Sequence, residues 1–256
     1  MDYYFHNKNN RIGDEIQMTA FLQYIKKMYP EKTIFYRDEN QYFSAREYFP
    51  EGLVTFCEDQ PSCTECLHAG NLWTSRNIFV RRGIYTRINR QHCPAEERAV
   101  FFPLLSPEYN LSRRMDIEVV KMVVSEYGNL TVYVDPHKPQ DKEMLEAHGV
   151  PCSCVSLGEA IEAICSSTCY IGGDTGFTHI AGAVGHGNVV AIYGNSDHDK
   201  MAFRHDQQWF SDHYQEEDSL AEWNYWCSLP CCPPKHLRAL IMENNRLPAG
   251  GTKATN

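Results

Sequence analysis

The sequence predicts an α/β protein of two doubly wound, parallel-sheet domains, and three observations carry that prediction. Short β-branched and aromatic runs alternate with helical stretches that show one apolar face, the pattern of parallel strands joined by crossover helices. A length of 256 residues accommodates two units of roughly 100 to 150 residues each. The alternation weakens between Gln41 and Glu97 and restarts at Ala99, after Cys93-Pro94 and a charged stretch. The expected units are therefore 1–98, a reduced first domain, and 99–256.

The first forty residues read as strand, loop, helix, strand. Tyr3 to His6 is a strand and Asn7 to Gly13 a loop; Met18, Phe21, Leu22, Ile25, Met28 and Tyr29 then fall on one helix face. Pro30 stops that helix, and Thr33 to Arg37 is the next strand, completing a βαβ unit. In the weak stretch only Leu53 to Phe56 and Asn77 to Val80 stand out as strands.

The second series is clearer. Val100 to Leu104 is a strand; Ile117, Val120, Val124 and Tyr127 mark a helix closed by Gly128; Leu130 to Val134 is a strand; Gln140 to His148 is a helix closed by Gly149. Ser156 and Glu159 form a capping box that opens a helix through Leu157, Ile161 and Ile164. Cys169 to Gly172 is a strand, Thr175 to Val184 a short helix, Asn188 to Tyr193 a strand, and Leu247 to Asn256 a frayed tail.

Composition excludes several classes of function. With 43% apolar and 22% charged residues the chain is neither disordered nor fibrous. The net charge of −9 argues against a general nucleic-acid coat, although a local basic patch can still bind a polyanion. The N-terminus is polar, and no run approaches the ~20 apolar residues of a membrane span, so a soluble, cytoplasmic protein is expected. Eleven cysteines, an odd number, fit free thiols or metal ligands better than disulfides in such a compartment. Cys57, Cys63, Cys66 and His68 form one cluster, and Cys227, Cys231 and Cys232 another. Cys63 and Cys66 have zinc-knuckle spacing but lack a second knuckle at standard distance, which leaves structural zinc and incidental thiols as alternatives.

The sharpest chemical signal is the run from Tyr170 to Ala183. Gly172, Gly173 and Gly176 allow a tight turn and close approach of a ligand, while Asp174 or Thr175 can cap the helix that follows. A helix N-terminus with unpaired N–H groups is an anion site, suited to a diphosphate at Thr175 and Gly176. An ordinary glycine-rich βα turn is the other reading.

The run from Gly173 to Gly185, with Val189 to Gly194, resembles the nucleotide-sugar segment of the ADP-heptose lipopolysaccharide heptosyltransferases, glycosyltransferase family 9. Ile12-Gly13-Asp14-Glu15-Ile16, followed by the amphipathic helix and Tyr29-Pro30, is similar to the family's first loop. Arg113-Arg114 resembles its basic donor-phosphate loop. The resemblance implies a GT-B architecture of two Rossmann-like domains, with the donor on the C-terminal domain and the acceptor on the N-terminal one. It implies inverting, metal-independent transfer from a nucleotide-diphosphate sugar, with no cofactor. Asp14 stands at the general-base position and Arg113 at that of the cation facing the leaving diphosphate. Gly13, Ser106, Arg114, Gly173, Asp174, Thr175, Gly176 and His179 are the implied substrate-binding residues.

The chain departs from the family in places. Its first domain is short, Met115 follows the arginines where an aromatic is usual, and Asn188 replaces a proline before the last strand. Arg76, Arg81, Arg82, Arg87 and Arg90 lie in a stretch without acidic residues, which points to an anionic acceptor; phosphorylated glycolipid and nucleic acid both qualify. His205 to Pro234 carries six acidic residues and no Lys or Arg, so that flank repels polyanions. Asp197-His198-Asp199 spells a D-x-D triplet, but after the wrong strand for a manganese-dependent transferase, so a solvated loop is expected. An inactive nucleotide-sugar or phosphate-binding module, and a structural zinc protein, are the competing functional classes.

Overall fold

The computed structural model describes residues 1–7, 11–62, 64–67, 88, 89, 96, 98–105, 115–173, 175–186, 188–193 and 223–227. Two sheets, parallel at every described pairing, form the framework. The first contains β1 (Asp2–His6), β2 (Ile34–Arg37), β3 (Thr55–Phe56) and β4 (Thr64–Leu67), in the order β3-β2-β1-β4. The second contains β5 (Ala99–Phe102), β6 (Leu130–Val134), β7 (Ser153–Cys154), β8 (Cys169–Gly172), β9 (Val189–Tyr193) and β10 (Trp223–Cys227), in the order β10-β9-β8-β5-β6-β7. Numbered from its own first strand, the second sheet runs 3-2-1-4-5-6, the dinucleotide-fold order.

The helices are α1 (Ile12–Met28), α2 (Ala45–Tyr48), α3 (Ile117–Glu126), α4 (Pro139–Ala147), α5 (Leu157–Ser166) and α6 (Gly176–Ala183). Alternation along the strands of the second sheet separates its two faces. Val100, Phe102, Tyr133, Tyr170 and Val189 pack with α5 and α6, whereas Phe101, Val132, Val134, Ile171, Val190 and Ile192 pack with α3 and α4. The sheet is therefore covered on both sides, and its central strand β5 is buried at every position.

The same apolar cluster that holds α5 and α6 continues into Ile16, Ala20, Phe21 and Leu22 of α1 and Phe5, Ile34 and Tyr36 of the first sheet. One core thus runs from sheet to sheet through the packed helices α1 and α6. This explains why α1 buries Gln17 and Thr19 as well as its apolar stripe: it is covered by its own sheet and by α6. Lys26 and Lys27 sit at its C-terminal turn and Asp14 and Glu15 at its first, each complementing the helix dipole.

Most expected elements are found, with informative differences. Residues 12 and 13 belong to α1 rather than to the preceding loop, since Arg11 is the extended N-cap residue. β5 ends at Phe102 because Pro103 cannot donate to the ladder. The capping box is present: the Ser156 hydroxyl accepts from the Glu159 N–H at 3.4 Å, and the Glu159 carboxylate accepts from the Ser156 N–H at 2.7 Å. The sequence pattern missed α2, β4, β7 and β10. The expected strand at 77–80, the arginine-rich stretch apart from residues 88 and 89, the D-x-D triplet and the C-terminal tail lie outside the described residues. No described helix is long and apolar enough to cross a membrane.

Candidate functional site

In the second sheet the chain moves outward from β5 to β6 and β7, then returns to β5's other side as β8. The crevice at the carboxyl ends of β5 and β8 is thus the topological switch point, where open α/β sheets bind ligands. Its two sides are Phe102 to Leu105 and Gly172 to Thr175, joined where the Gly173 N–H donates to the Phe102 carbonyl at 3.3 Å. The Met115 N–H donates to the Leu104 carbonyl at 2.8 Å, so these two described residues meet beside this crevice. Ser106, Arg113 and Arg114 fall between them in sequence, outside the described residues.

The β8–α6 turn is built from below. The Tyr170 ring is fully buried, at 5.8 Å from Phe102, which in turn lies 4.6 Å from Phe177. The Tyr170 hydroxyl pairs with Thr178 Oγ1 at 2.9 Å, and that hydroxyl donates to the Gly173 carbonyl at 2.5 Å. Burial drives the Tyr170 phenol well above its ordinary range, so it is a neutral structural partner. The hydroxyl also lies where a Cβ at Gly172 would have to go, and a Cβ at Gly173 would sit 2.9 Å from Leu104 Cβ. Thr175 is the N-cap residue by position, but its hydroxyl makes no capping bond, and α6 has no acidic side chain in its first turn. Asp174, the other expected cap, lies outside the described residues.

Gly176 has a packing use besides the one its spacing suggests. A Cβ there would lie 2.9 Å from Ile12 Cβ and 3.3 Å from the Gly13 nitrogen; one at Gly13 would lie 2.8 Å from His179 Cδ2. These glycines let the N-terminal turns of α1 and α6 touch, so protein approaches residue 176 closely on that side. His179 serves the same contact: Gln17, only 2% exposed, reaches its Nε2 at 3.1 Å. Two helix N-termini, one from the carboxyl edge of each sheet, thus converge and concentrate positive dipole potential at their junction. Asp14 sits half-buried at the third position of α1, beside this junction. The structure therefore brings Gly13, Gly176 and His179 together, with Asp14 next to Gly13 in the first turn of α1 and Thr175 the N-cap residue of α6.

Glu15 is the residue that sequence reasoning passed over. It is 1% exposed, accepts a short hydrogen bond from the Tyr36 hydroxyl and a longer one from Asn40 Nδ2 at 3.3 Å, and has the Asn7 amide beside it. Burial pushes its carboxyl up to about 7, against the lowering effect of those donors. Its signal was present: 15, 18, 22 and 25 share one helix face, so an acidic residue stood in an apolar stripe.

Among the described residues the cysteines form no comparable site. Cys57 is half-buried, Cys66 is exposed on β4, and Cys63, His68, Cys231 and Cys232 lie outside the described residues. Among the described residues no three His, Cys, Asp or Glu side chains are grouped to hold a metal.

Comparison with known proteins gives a consistent picture. Residues 143–224, which include the β8–α6 turn, match the model of glycosyltransferase family 9 (heptosyltransferase). E. coli ADP-heptose lipopolysaccharide heptosyltransferase II is similar in fold, with TM-score 0.57 and 13% identity over 96% of this chain and 100% of that one. E. coli heptosyltransferase WaaC with ADP gives TM-score 0.52 and 12% identity over 95% and 100%. A family 9 glycosyl transferase from Veillonella parvula DSM 2008 gives 0.54 and 13% over 88% and 86%. No curated protein matches in sequence. The fold is that of the GT-B heptosyltransferases, with Rossmann-like parallel sheets.

Proposed function

We propose that this chain, a heptosyltransferase-like glycosyltransferase by its fold and its family 9 segment, moves a sugar from a nucleotide-diphosphate donor to an anionic acceptor, with inversion and without a metal. The observation that carries the reading is the convergence of the α1 and α6 N-termini. It brings Gly13, the residue before Asp14, against Gly176 and His179, which supports a carboxylate acting beside the phosphate-type turn.

The donor diphosphate lies in the β5–β8 crevice, on the backbone donors that open α6, with Ser106 and Arg114 from the adjoining segment. Arg113 faces the departing diphosphate, where negative charge grows toward the transition state and a positioned cation contributes most. Asp14 takes the proton from the acceptor hydroxyl as that oxygen attacks the anomeric carbon from the face opposite the leaving group. A carboxylate in the first turn of a helix is kept ionised by the dipole, so Asp14 acts by placement. Gly13 and His179 hold α1 and α6 in contact, which supports Asp14 acting beside the donor turn. An ADP-sugar is the first donor to try, since a structure of similar fold is of a heptosyltransferase with ADP. The Arg76 to Arg90 stretch supplies the charge for an anionic acceptor, a phosphorylated glycolipid or a nucleic acid.

The test is Asp14→Asn, which keeps size and removes the base. Transfer should fall by roughly 10² to 10⁴ with donor-induced thermal stabilisation preserved. Unchanged transfer removes Asp14 from the mechanism, and donor binding without turnover in the parent across acceptors identifies a binding module.

A further inference from the structure

The proposed mechanism gives no role to the second carboxyl, Glu15, immediately after Asp14. Glu15 points into the fold, where α1 meets the carboxyl ends of β1 and β2. Three donors surround it from three places: the Tyr36 hydroxyl on β2, the Asn40 amide in the following loop, and the Asn7 amide at the end of β1. All three suit a carboxylate and none requires a protonated acid. Asn40 is itself fixed, since its Oδ1 accepts from the Tyr42 N–H at 2.9 Å.

We propose that Glu15 is a positioning residue for Asp14: ionised, it ties the first turn of α1 to the first sheet's carboxyl edge, and protonated, it lets that turn loosen. Only the catalytic consequence rests on the proposed role of Asp14; the tie itself stands on the geometry of Glu15. When the carboxyl takes a proton, one oxygen becomes a hydroxyl and can no longer serve an incoming donor as a carboxylate oxygen does. One of the Tyr36 and Asn40 bonds is then weakened, and the turn carrying Asp14 loses an anchor.

The titratable groups facing Glu15 are few. The Tyr36 phenol is held far above its usual range by burial and by Glu15, so it stays a donor. Asp38 raises the Glu15 carboxyl further, while its own oxygens accept from the Ala45 N–H at 3.2 Å and the Arg46 N–H at 3.0 Å. His6 and Arg37 pair with Glu39 instead. Among the described residues no cation offsets the burial, so the tie titrates near neutrality, about 7.

The experiment is a pH titration of the full chain labelled with ¹³C at Asp and Glu carboxyls. In the parent, Glu15 should titrate at about 7 and the Asp14 resonance should move in the same step. In Glu15→Gln the Asp14 resonance should lose that step. Asn40→Ala, which removes a donor to the carboxylate, should move the step of both residues to higher pH; it carries the test should Glu15→Gln not fold. Folded-state affinity for this proton exceeds unfolded-state affinity, so melting temperature should fall as pH rises through this range and flatten in Glu15→Gln. An Asp14 resonance that ignores the Glu15 step, or keeps it in Glu15→Gln, overturns the proposal. Failure of the base reading looks different: Asp14→Asn then leaves transfer intact while parental Asp14 still follows Glu15. If both hold, kcat has an acid limb at the same midpoint, with KM for the donor unchanged, and Glu15→Gln abolishes that limb.

Discussion

The α1–α6 junction makes a sharp prediction for alanine at position 176. A Cβ there would meet Ile12 Cβ at 2.9 Å, Ile12 Cγ2 at 3.0 Å and the Gly13 nitrogen at 3.3 Å. A β-carbon and a backbone nitrogen cannot swing aside, so the start of α1 must move. Overpacking of this kind costs about 1–3 kcal/mol. Alanine's preference for a helix over glycine offsets up to about 1 kcal/mol of that. Gly176→Ala should therefore lose about 1–2 kcal/mol, a fall of ~2–8 °C in melting temperature at this size. Gly158→Ala is the control. It also lies in the first turn of a helix, but its Cβ would meet only the Tyr48 hydroxyl, at an ordinary 3.8 Å, so the same substitution should be neutral or stabilising. Circular-dichroism melts and urea titrations without ligand would measure both. If the two alanines shift stability in the same upward direction, the junction is not packed as described. Because Gly176 touches α1, Gly176→Val should weaken the fold and nucleotide-sugar binding together, and binding loss in that variant alone does not locate the donor.

Two other outcomes follow from local chemistry. Ser156→Ala breaks the capping box of α5 and should cost about 1 kcal/mol, read from urea midpoints. The Ser156 bonds hold Glu159 below its ordinary range, so their contribution is complete above the unfolded carboxyl's pKa and is lost as pH falls through the folded one; the difference between parent and variant should shrink in acid. Iodoacetamide should label the exposed Cys66 and Cys154 in the native protein but spare Cys169, whose buried thiol is pushed up to about 12. Peptide mapping that finds Cys169 alkylated without denaturant would contradict its burial.

In the second sheet β5, β6, β8 and β9 were legible as largely apolar runs and the helices by a cap or a closing glycine, whereas β7 and β10 were not. Leu130 to Val134 and Cys169 to Gly172 are found at their expected bounds. The shorter elements were less legible: β3 keeps only two residues of the expected run Leu53 to Phe56, and β7, also two residues, is too short for a period-2 pattern to register. β4 includes Cys66, which has knuckle spacing with Cys63 in sequence, while the backbone of Thr64–Leu67 pairs in parallel with β1. At the site, the glycine-rich turn announced itself, but the partner that needs residue 176 small lies at residues 12 and 13, a long-range fact no local spacing contains. Glu15 was visible as an acid in an apolar stripe, yet only the placement of Tyr36 and Asn40 gives that anomaly a meaning.

The contact between Gln17 and His179 spans 162 positions of sequence. A ribosome working at about 5–20 residues per second therefore leaves α1 waiting roughly ten to thirty seconds for its packing partner. During that interval the first sheet can form, but the face of α1 that carries Ile16 and Ala20 toward α6 has nothing to cover it. The nascent N-terminal segment is thus exposed to aggregation until the β8–α6 turn emerges. A fragment ending before that turn should require a chaperone or fail to accumulate, and the two units are poor candidates for separate expression.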